Sequence, residues 1–213
     1  MSGLRYVRYR TGGRDEWMMR IGDGPALLFL PPLFEELNRT RALLATAMRA
    51  LAALGYGCWL PDLPGTGESE RALEEVGWRD WRDAAAAALA AAGAVATVAV
   101  RGGALLDGES AARWRFAPAS GGSLARDLAR AGLMAEGGGG YAPSPALLDA
   151  LAAAEPEAGA RVRTVRLASD RADAELKLDG APLWRRAEPQ NSPELAEAIA
   201  SDVSQWLRTC GVC

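Results

Sequence analysis

The run Ala96-Thr97-Val98-Ala99-Val100 favours a strand, and Arg101-Gly102-Gly103 follows it at once. A buried strand, a sharp turn and the first turn of a helix would lift the middle residue of Ala99-Val100-Arg101-Gly102-Gly103 above the strand ends. Enzymes built on such a turn carry a nucleophilic Ser at that place. Here it is Arg101, which cannot serve as a general base near neutral pH. Two roles are open to it. Its guanidinium, beside the N–H groups of Gly102 and Gly103 at a helix start, would favour a carboxylate or phosphate. Alternatively, it pairs with Glu35, Glu36 or Asp62 and ties the loops together.

The sequence contains no His. That excludes an imidazole base, a His metal ligand and a Ser–His–Asp or Cys–His relay. Glu35 and Glu36 are then the best carboxylates for acid–base work. Packed against Leu33 and Phe34, one of them would have its pKa raised and could activate water. The same pair could instead precharge the helix that follows. Asn38 could donate to a ligand or cap a helix beginning near Arg39. Asp62 and Ser69 bracket a glycine turn, where such residues commonly bond nearby backbone. A nucleophilic Ser69 or Ser120 would need an adjacent base, and none is evident.

Other motifs carry less. Gly65-Thr66-Gly67 lacks the third glycine of a dinucleotide site and the Gly-Lys-Ser/Thr end of a P-loop. Cys58 falls in an apolar strand as a small core residue. Cys210 and Cys213 form a terminal Cys-x-x-Cys, with too few Cys and His in the chain for a closed zinc site. Trp184-Arg185-Arg186 could stack on a ligand or pack on the surface. No cofactor motif is present.

The elements that must position these residues are readable in order. Leu4–Arg10 and Glu16–Ile21 flank a Gly12-Gly13 turn as a hairpin. Ala26–Leu30 is a continuous apolar run, a strand covered on both faces. Leu43 to Leu54 keeps helical spacing and ends at Gly55-Tyr56-Gly57. Cys58–Leu60 is the next strand, and the helix opened by Trp78 and Trp81 ends at Gly93. Ala111–Ala117 is a strand, Leu124 to Ala131 and Ala146–Ala154 are helices, and Arg163–Leu167 is a strand. Pro182–Arg186 is expected as a last short strand, and Pro193–Leu207 as the closing helix. Strands alternating with helices predict a mostly parallel sheet with helices on both faces, its functional loops at the carboxyl strand ends.

The chain has 213 residues, 49% hydrophobic and 24% charged, with a net charge of −3. That suits one domain over 1–213 and gives no basic field to recruit nucleic acid. The basic residues are nearly all Arg, Lys177 being the only Lys. No window reaches the roughly 20 apolar residues of a membrane span, and a cytoplasmic protein is expected. Gly137–Gly140 is the one flexible run, inside a short connection over 135–160.

Several of these residues converge on a known pattern. An apolar strand leads into Pro31-Pro32. Asp62-Leu63-Pro64-Gly65-Thr66-Gly67-Glu68-Ser69 is similar to an Asp-x-x-Gly-x-Gly-x-Ser loop. A strand–turn–helix follows at Val100–Ala104, and Asp170 ends a late strand where an acid would stand. The chain thus resembles the α/β-hydrolase superfamily along nearly its whole length, with 135–160 as a reduced lid. The loop Pro31-Pro32-Leu33-Phe34-Glu35-Glu36-Leu37-Asn38-Arg39-Thr40-Arg41 resembles that of the hydrolase-like proteins associated with bacterial exosortase systems. That resemblance implies a link to surface assembly.

The departures shape the expected function. Arg101 stands in the nucleophile's place, and Asp170 has no His to orient. The leading expectation is a non-triad or catalytically inactive relative that binds a small ligand, anionic if Arg101 is free, or a protein partner of an exosortase-linked system. Arg101, Gly102, Asn38 and Ser69 are its candidate ligand-binding residues. The alternative is a hydrolase with carboxylate-centred chemistry at Glu35 or Glu36, acting on an acyl or ester substrate.

Overall fold

The computed structural model describes residues 3–130 and 143–211. Strand β1 (Arg5–Thr11) turns at Gly12 and Gly13, both at positive φ, into β2 (Arg14–Ile21). Then come β3 (Ala26–Leu30), helix α1 (Glu35–Ala53), β4 (Gly57–Pro61), α2 (Trp78–Ala92) and β5 (Ala96–Val100). The second half holds β6 (Arg113–Phe116), α3 (Gly121–Arg130), α4 (Pro145–Ala152), β7 (Val162–Leu167), β8 (Leu176–Leu178) and α5 (Pro193–Thr209). Among the described residues the strands form one sheet in the order β1-β2-β4-β3-β5-β6-β7-β8. Strand β2 runs antiparallel to both neighbours, and from β4 to β8 every pairing is parallel. This is the α/β-hydrolase-like architecture that the resemblance implies.

Strand β3 shows why the sheet needs two helical layers. Leu27 and Phe29 join the core formed with α1 and α5, whereas Leu28 and Leu30 join the core formed with α2, α3 and α4. All four side chains are at most 1% exposed. At roughly 2–3 kcal/mol for each large apolar side chain removed from water, both faces of this strand contribute to stability. Helix α1 buries Leu43, Leu44, Ala47, Met48 and Leu51, the residues that carry the helical spacing. Helix α2 buries Trp81, whose indole N–H donates to the carbonyl of Pro64 at 2.9 Å, and ends at Gly93 with φ 59°.

Three expectations are corrected. Helix α1 begins at Glu35, not near Arg39, so Asn38 lies inside the helix and cannot cap it. Its N-terminal cap is Phe34, with φ 56° and no side-chain cap. Glu35 and Glu36 in the first turn complement the helix dipole instead. The expected start of a helix after Arg101 is a 3-10 turn over Arg101–Leu105, and β6 already starts at Arg113. A parallel crossover needs about a dozen residues, and this one, over 101–112, has no more than that. The Asp107 carboxylate then turns back to Arg115 on β6, taking two bonds of 2.7 Å. Finally, Leu183–Arg185 is a 3-10 turn, and the last strand is β8, whose Leu176 pairs with Val165.

The part of the 135–160 connection that is described contains α4, capped by Ser144 and packed through Leu147 and Leu151 into the α2–α3 layer. Gly137–Gly140 and Cys213 lie outside the described residues. Cys58 is fully buried, and burial pushes its thiol pKa up to about 12, which makes it an inert core residue.

Candidate functional site

The chain leaves β3 toward β4 on one side and comes back to β5 on the other. In an open α/β sheet, the crevice outside the carboxyl ends of two such strands is where ligands bind. The elbow stands there. Arg101, directly after β5, holds φ 55°, a left-handed conformation that costs a side-chain-bearing residue of order 1–3 kcal/mol. Two glycines make the turn possible. A Cβ at Gly103 would run into the carbonyls of Leu30 and Pro31, and one at Gly102 would press on Leu33 and Leu124. The elbow backbone is therefore wedged between the end of β3 and α3.

Among the described residues, the other non-glycine positions with positive φ are Phe34 at 56° and Ala117 at 46°. They follow β3 and β6, the strands on either side of β5. Backbone strain is thus concentrated around one crevice.

The Arg101 guanidinium is committed. Nη2 donates to Glu36 Oε1 at 2.9 Å, and Nε donates to Glu36 Oε2 at 3.1 Å and Oε1 at 3.3 Å. Nη1 donates to the Ala117 carbonyl at 3.4 Å. The guanidinium carbon also sits 4.9 Å above the Trp184 ring, and Asp127 lies 3.9 Å away. Trp184 is held in turn by edge contact with Phe116, which stacks on Trp114. A rigid aromatic series in the core therefore supports the ion pair. Burial pushes the Glu36 carboxyl above its ordinary pKa, Arg101 pulls it part of the way back, and Asp127 pushes it up again.

Beside the pair opens a cavity of about 420 Å³. Leu33, Phe34, Leu124, Leu128 and Trp184 supply its apolar surface, and Glu35, Glu36, Arg39, Asp127, Arg130 and Arg185 its charges. Asp127 is matched by Arg130 at 2.8 Å. Arg39 gives Nη1 to the Trp184 carbonyl at 3.1 Å. Among the described residues, Arg39 and Arg185 pair with no carboxylate. The buried Trp184 indole nitrogen has no acceptor among the described residues. The described lining includes no Ser, Thr, Cys, Lys or Tyr, so it offers no hydroxyl, thiol or amine nucleophile.

Of the residues singled out in the sequence, Glu35 and Glu36 line this cavity, while Arg101 and Gly102 stand behind them at the elbow and do not line it. Asn38 does not line the cavity, and its side chain makes no hydrogen bond among the described residues. Ser69 belongs elsewhere. It accepts the Gly65 N–H at 2.9 Å and donates to Glu16 Oε1 at 3.1 Å. Asp62 accepts the Glu68 N–H at 3.2 Å, so both bracket their glycine turn. Asp170 is tied to Arg166 at 2.8 Å and to the Ala172 N–H at 3.0 Å. Burial would raise its pKa, but these two partners hold it below the usual range.

Sequence reasoning missed Leu124, Asp127, Leu128 and Arg130, all on α3. Their spacing of three and four residues marks one helical face, but nothing local says that this face meets the elbow. No group of three or more metal-ligating side chains occurs among the described residues.

No family model matches this sequence, and no curated protein does. Among solved structures, the chain is similar to an epoxide hydrolase from Vigna radiata, with 18% identity over 54% of this chain and 40% of that one and a TM-score of 0.45. It is likewise similar to a variant of the epoxide hydrolase from Solanum tuberosum, with 20% identity, the same two coverages and a TM-score of 0.43. The chain thus spans 40% of the length of either enzyme. The strand order and the elbow define the fold.

Proposed function

We propose that this α/β-hydrolase-like chain is a non-triad binding protein whose strand-end cavity takes a small amphipathic anion. The observation that carries the reading is the elbow. Its raised residue is Arg101, and three hydrogen bonds bind that residue to Glu36. The elbow therefore offers no nucleophile, and its cation is already neutralised. Arg101 acts here by fixing Glu36 and Trp184, with Gly102 letting Leu33 and Leu124 close over the turn. The ligand's charge falls to Arg39 and Arg185, the cavity cations without a carboxylate. Its apolar body lies on Leu33, Phe34, Leu124 and Leu128. An aliphatic carboxylate fits both demands, since small-molecule sites are mostly apolar with a few placed polar groups.

Calorimetry with octanoate tests this. Saturable binding is expected, weakened about tenfold or more by Arg39→Ala with Arg185→Ala. Absence of binding, or equal binding by the double variant, would reject it. Acyl ester, thioester and phosphoester substrates are expected to show no turnover.

A second reading has one observation in its favour. Glu36 lines the cavity with a carboxyl raised by burial, as a water-activating base in an acyl or ester hydrolase would be. Ester turnover lost in Glu36→Gln would establish that reading and displace the first. The likeness of the 31–41 loop to exosortase-associated proteins supports a bacterial, exosortase-linked setting, with a protein of that system as the alternative occupant. No described helix is long and apolar enough to cross a membrane.

A further inference from the structure

A second cleft lies away from the strand-end cavity, between the β1–β2 hairpin and the glycine turn after β4. It measures about 400 Å³, and Arg8, Glu16, Trp17, Glu68, Glu70 and Arg71 are among its lining residues. Glu16 is only 2% exposed. Ser69 donates to Glu16 Oε1, and Ser69 is itself held by the N–H groups of Gly65 and of Arg71, at 2.9 and 3.3 Å. The direction of the carboxylate is thereby set. The other oxygen, Oε2, is buried and has no hydrogen-bond partner among the described residues. Ser69 cannot supply one, because its single proton is spent on Oε1. A buried acceptor left without a donor is costly and rare in folded proteins.

The charges around the cleft say what kind of donor is wanted. Arg8 stacks on Trp17 at 4.7 Å and faces Asp15 at 3.7 Å. Arg71 is paired with Asp80 at 3.1 Å. Among the described residues, Glu68 and Glu70 pair with no cation and Arg14 with no carboxylate, so the spare charge at the entrance is negative on balance. Burial pushes the Glu16 carboxyl up, Ser69 and Arg71 pull it down, and Asp62 and Glu70 push it up again. A bound cation would relieve this strain most directly.

We infer that this cleft binds the primary ammonium group of an alkyl amine, which donates to Glu16 Oε2 while Glu68 and Glu70 flank the entrance. The ammonium is a compact donor and suits a carboxylate with one oxygen left to satisfy. A guanidinium presents a fork that needs both oxygens. A divalent ion needs six or so oxygen ligands, and the described residues hold no such group. The site is separate from the strand-end cavity, and its test does not depend on what that cavity binds.

The experiment is a titration of isotope-labelled protein followed by amide NMR, with n-butylammonium, methylguanidinium and Nα-acetyl-lysine amide as three arms. Butylammonium is expected to give saturable shifts at the Ser69 and Glu68 amides, with methylguanidinium much weaker. Glu16→Gln should weaken butylammonium about tenfold or more, its fold checked by unchanged signals elsewhere. The exposed pair Glu68→Gln and Glu70→Gln should weaken binding a few-fold without bearing on the fold. Comparable binding of the lysine amide would identify a peptide side chain as the source of the amine. Its failure beside intact butylammonium binding would identify a free amine. No saturable shift, equal binding of methylguanidinium, or Glu16→Gln binding within about twofold of the native protein would overturn the inference.

Discussion

Two Arg–carboxylate pairs in this molecule look alike and do different work. Arg115 and Asp107 meet through two bonds of 2.7 Å behind the β5–β6 crossover, with side chains 6% and 0% exposed. The Arg115 guanidinium also donates to the Glu157 carbonyl at 2.8 Å. Neither Arg115 nor Asp107 itself holds a positive φ, and the pair holds a shortened crossover in place. Arg101 and Glu36 are similarly close, but their side chains are 10% and 14% exposed, and one edge of the pair forms a cavity wall. Here Arg101 itself holds a positive φ, as do Phe34 and Ala117 next to it. Ion pairing alone therefore does not mark a site. Ion pairing by a residue that itself holds a strained φ, beside cavity cations left unmatched, does.

Breaking the two pairs should expose the difference. The largest effect is expected for Arg115→Ala. It strands the buried Asp107 carboxylate and should cost about 3–5 kcal/mol in urea unfolding. Arg101→Ala should cost less, about 1–3 kcal/mol, because Glu36 borders the cavity and can take up a proton. Adding Glu36→Gln to Arg101→Ala should recover part of that loss, whereas Asp107→Asn added to Arg115→Ala should recover little, because its amide needs the partners that Arg115 supplied. Equal losses at the two pairs would erase the distinction.

The smallest effect is a pH dependence. The folded-state pKa of Glu36 lies above its ordinary value, because burial outweighs Arg101. The folded state therefore binds more protons than the unfolded chain between the two values. The associated stability is present in full below the ordinary carboxylate pKa and is lost as pH rises through the raised one. Glu36→Gln should flatten this slope in unfolding measured across acid to neutral pH. Arg101→Ala should carry it to higher pH. An unchanged slope in Glu36→Gln would assign it to other buried carboxyls raised in the same way, Glu16, Asp62 and Asp107.

How much of this was legible in the sequence differs by element. The two-sided burial of Ala26–Leu30 follows from its unbroken apolar run, and the elbow from glycines placed where no Cβ fits. The start of α1 was not legible, because it depends on the positive φ at Phe34, a conformation no propensity assigns to a bulky aromatic residue. Which of Glu35, Glu36 and Asp62 would take Arg101 was also hidden. Glu35 and Glu36 are neighbours in sequence but point in different directions from the helix, so the choice is made by α1's rotation against the sheet. Trp184 and the α3 face reach the cavity through tertiary packing alone. The shape of the site is therefore local information, and its chemical lining is not.

The most direct measurement is a map of octanoate-induced amide shifts on the native protein. The account predicts saturable shifts concentrated at Phe34, Glu35, Leu124, Asp127 and Arg185, with Asp107 and Arg115 unmoved. Shifts scattered over the surface, or centred away from the ends of β3 and β5, would contradict it.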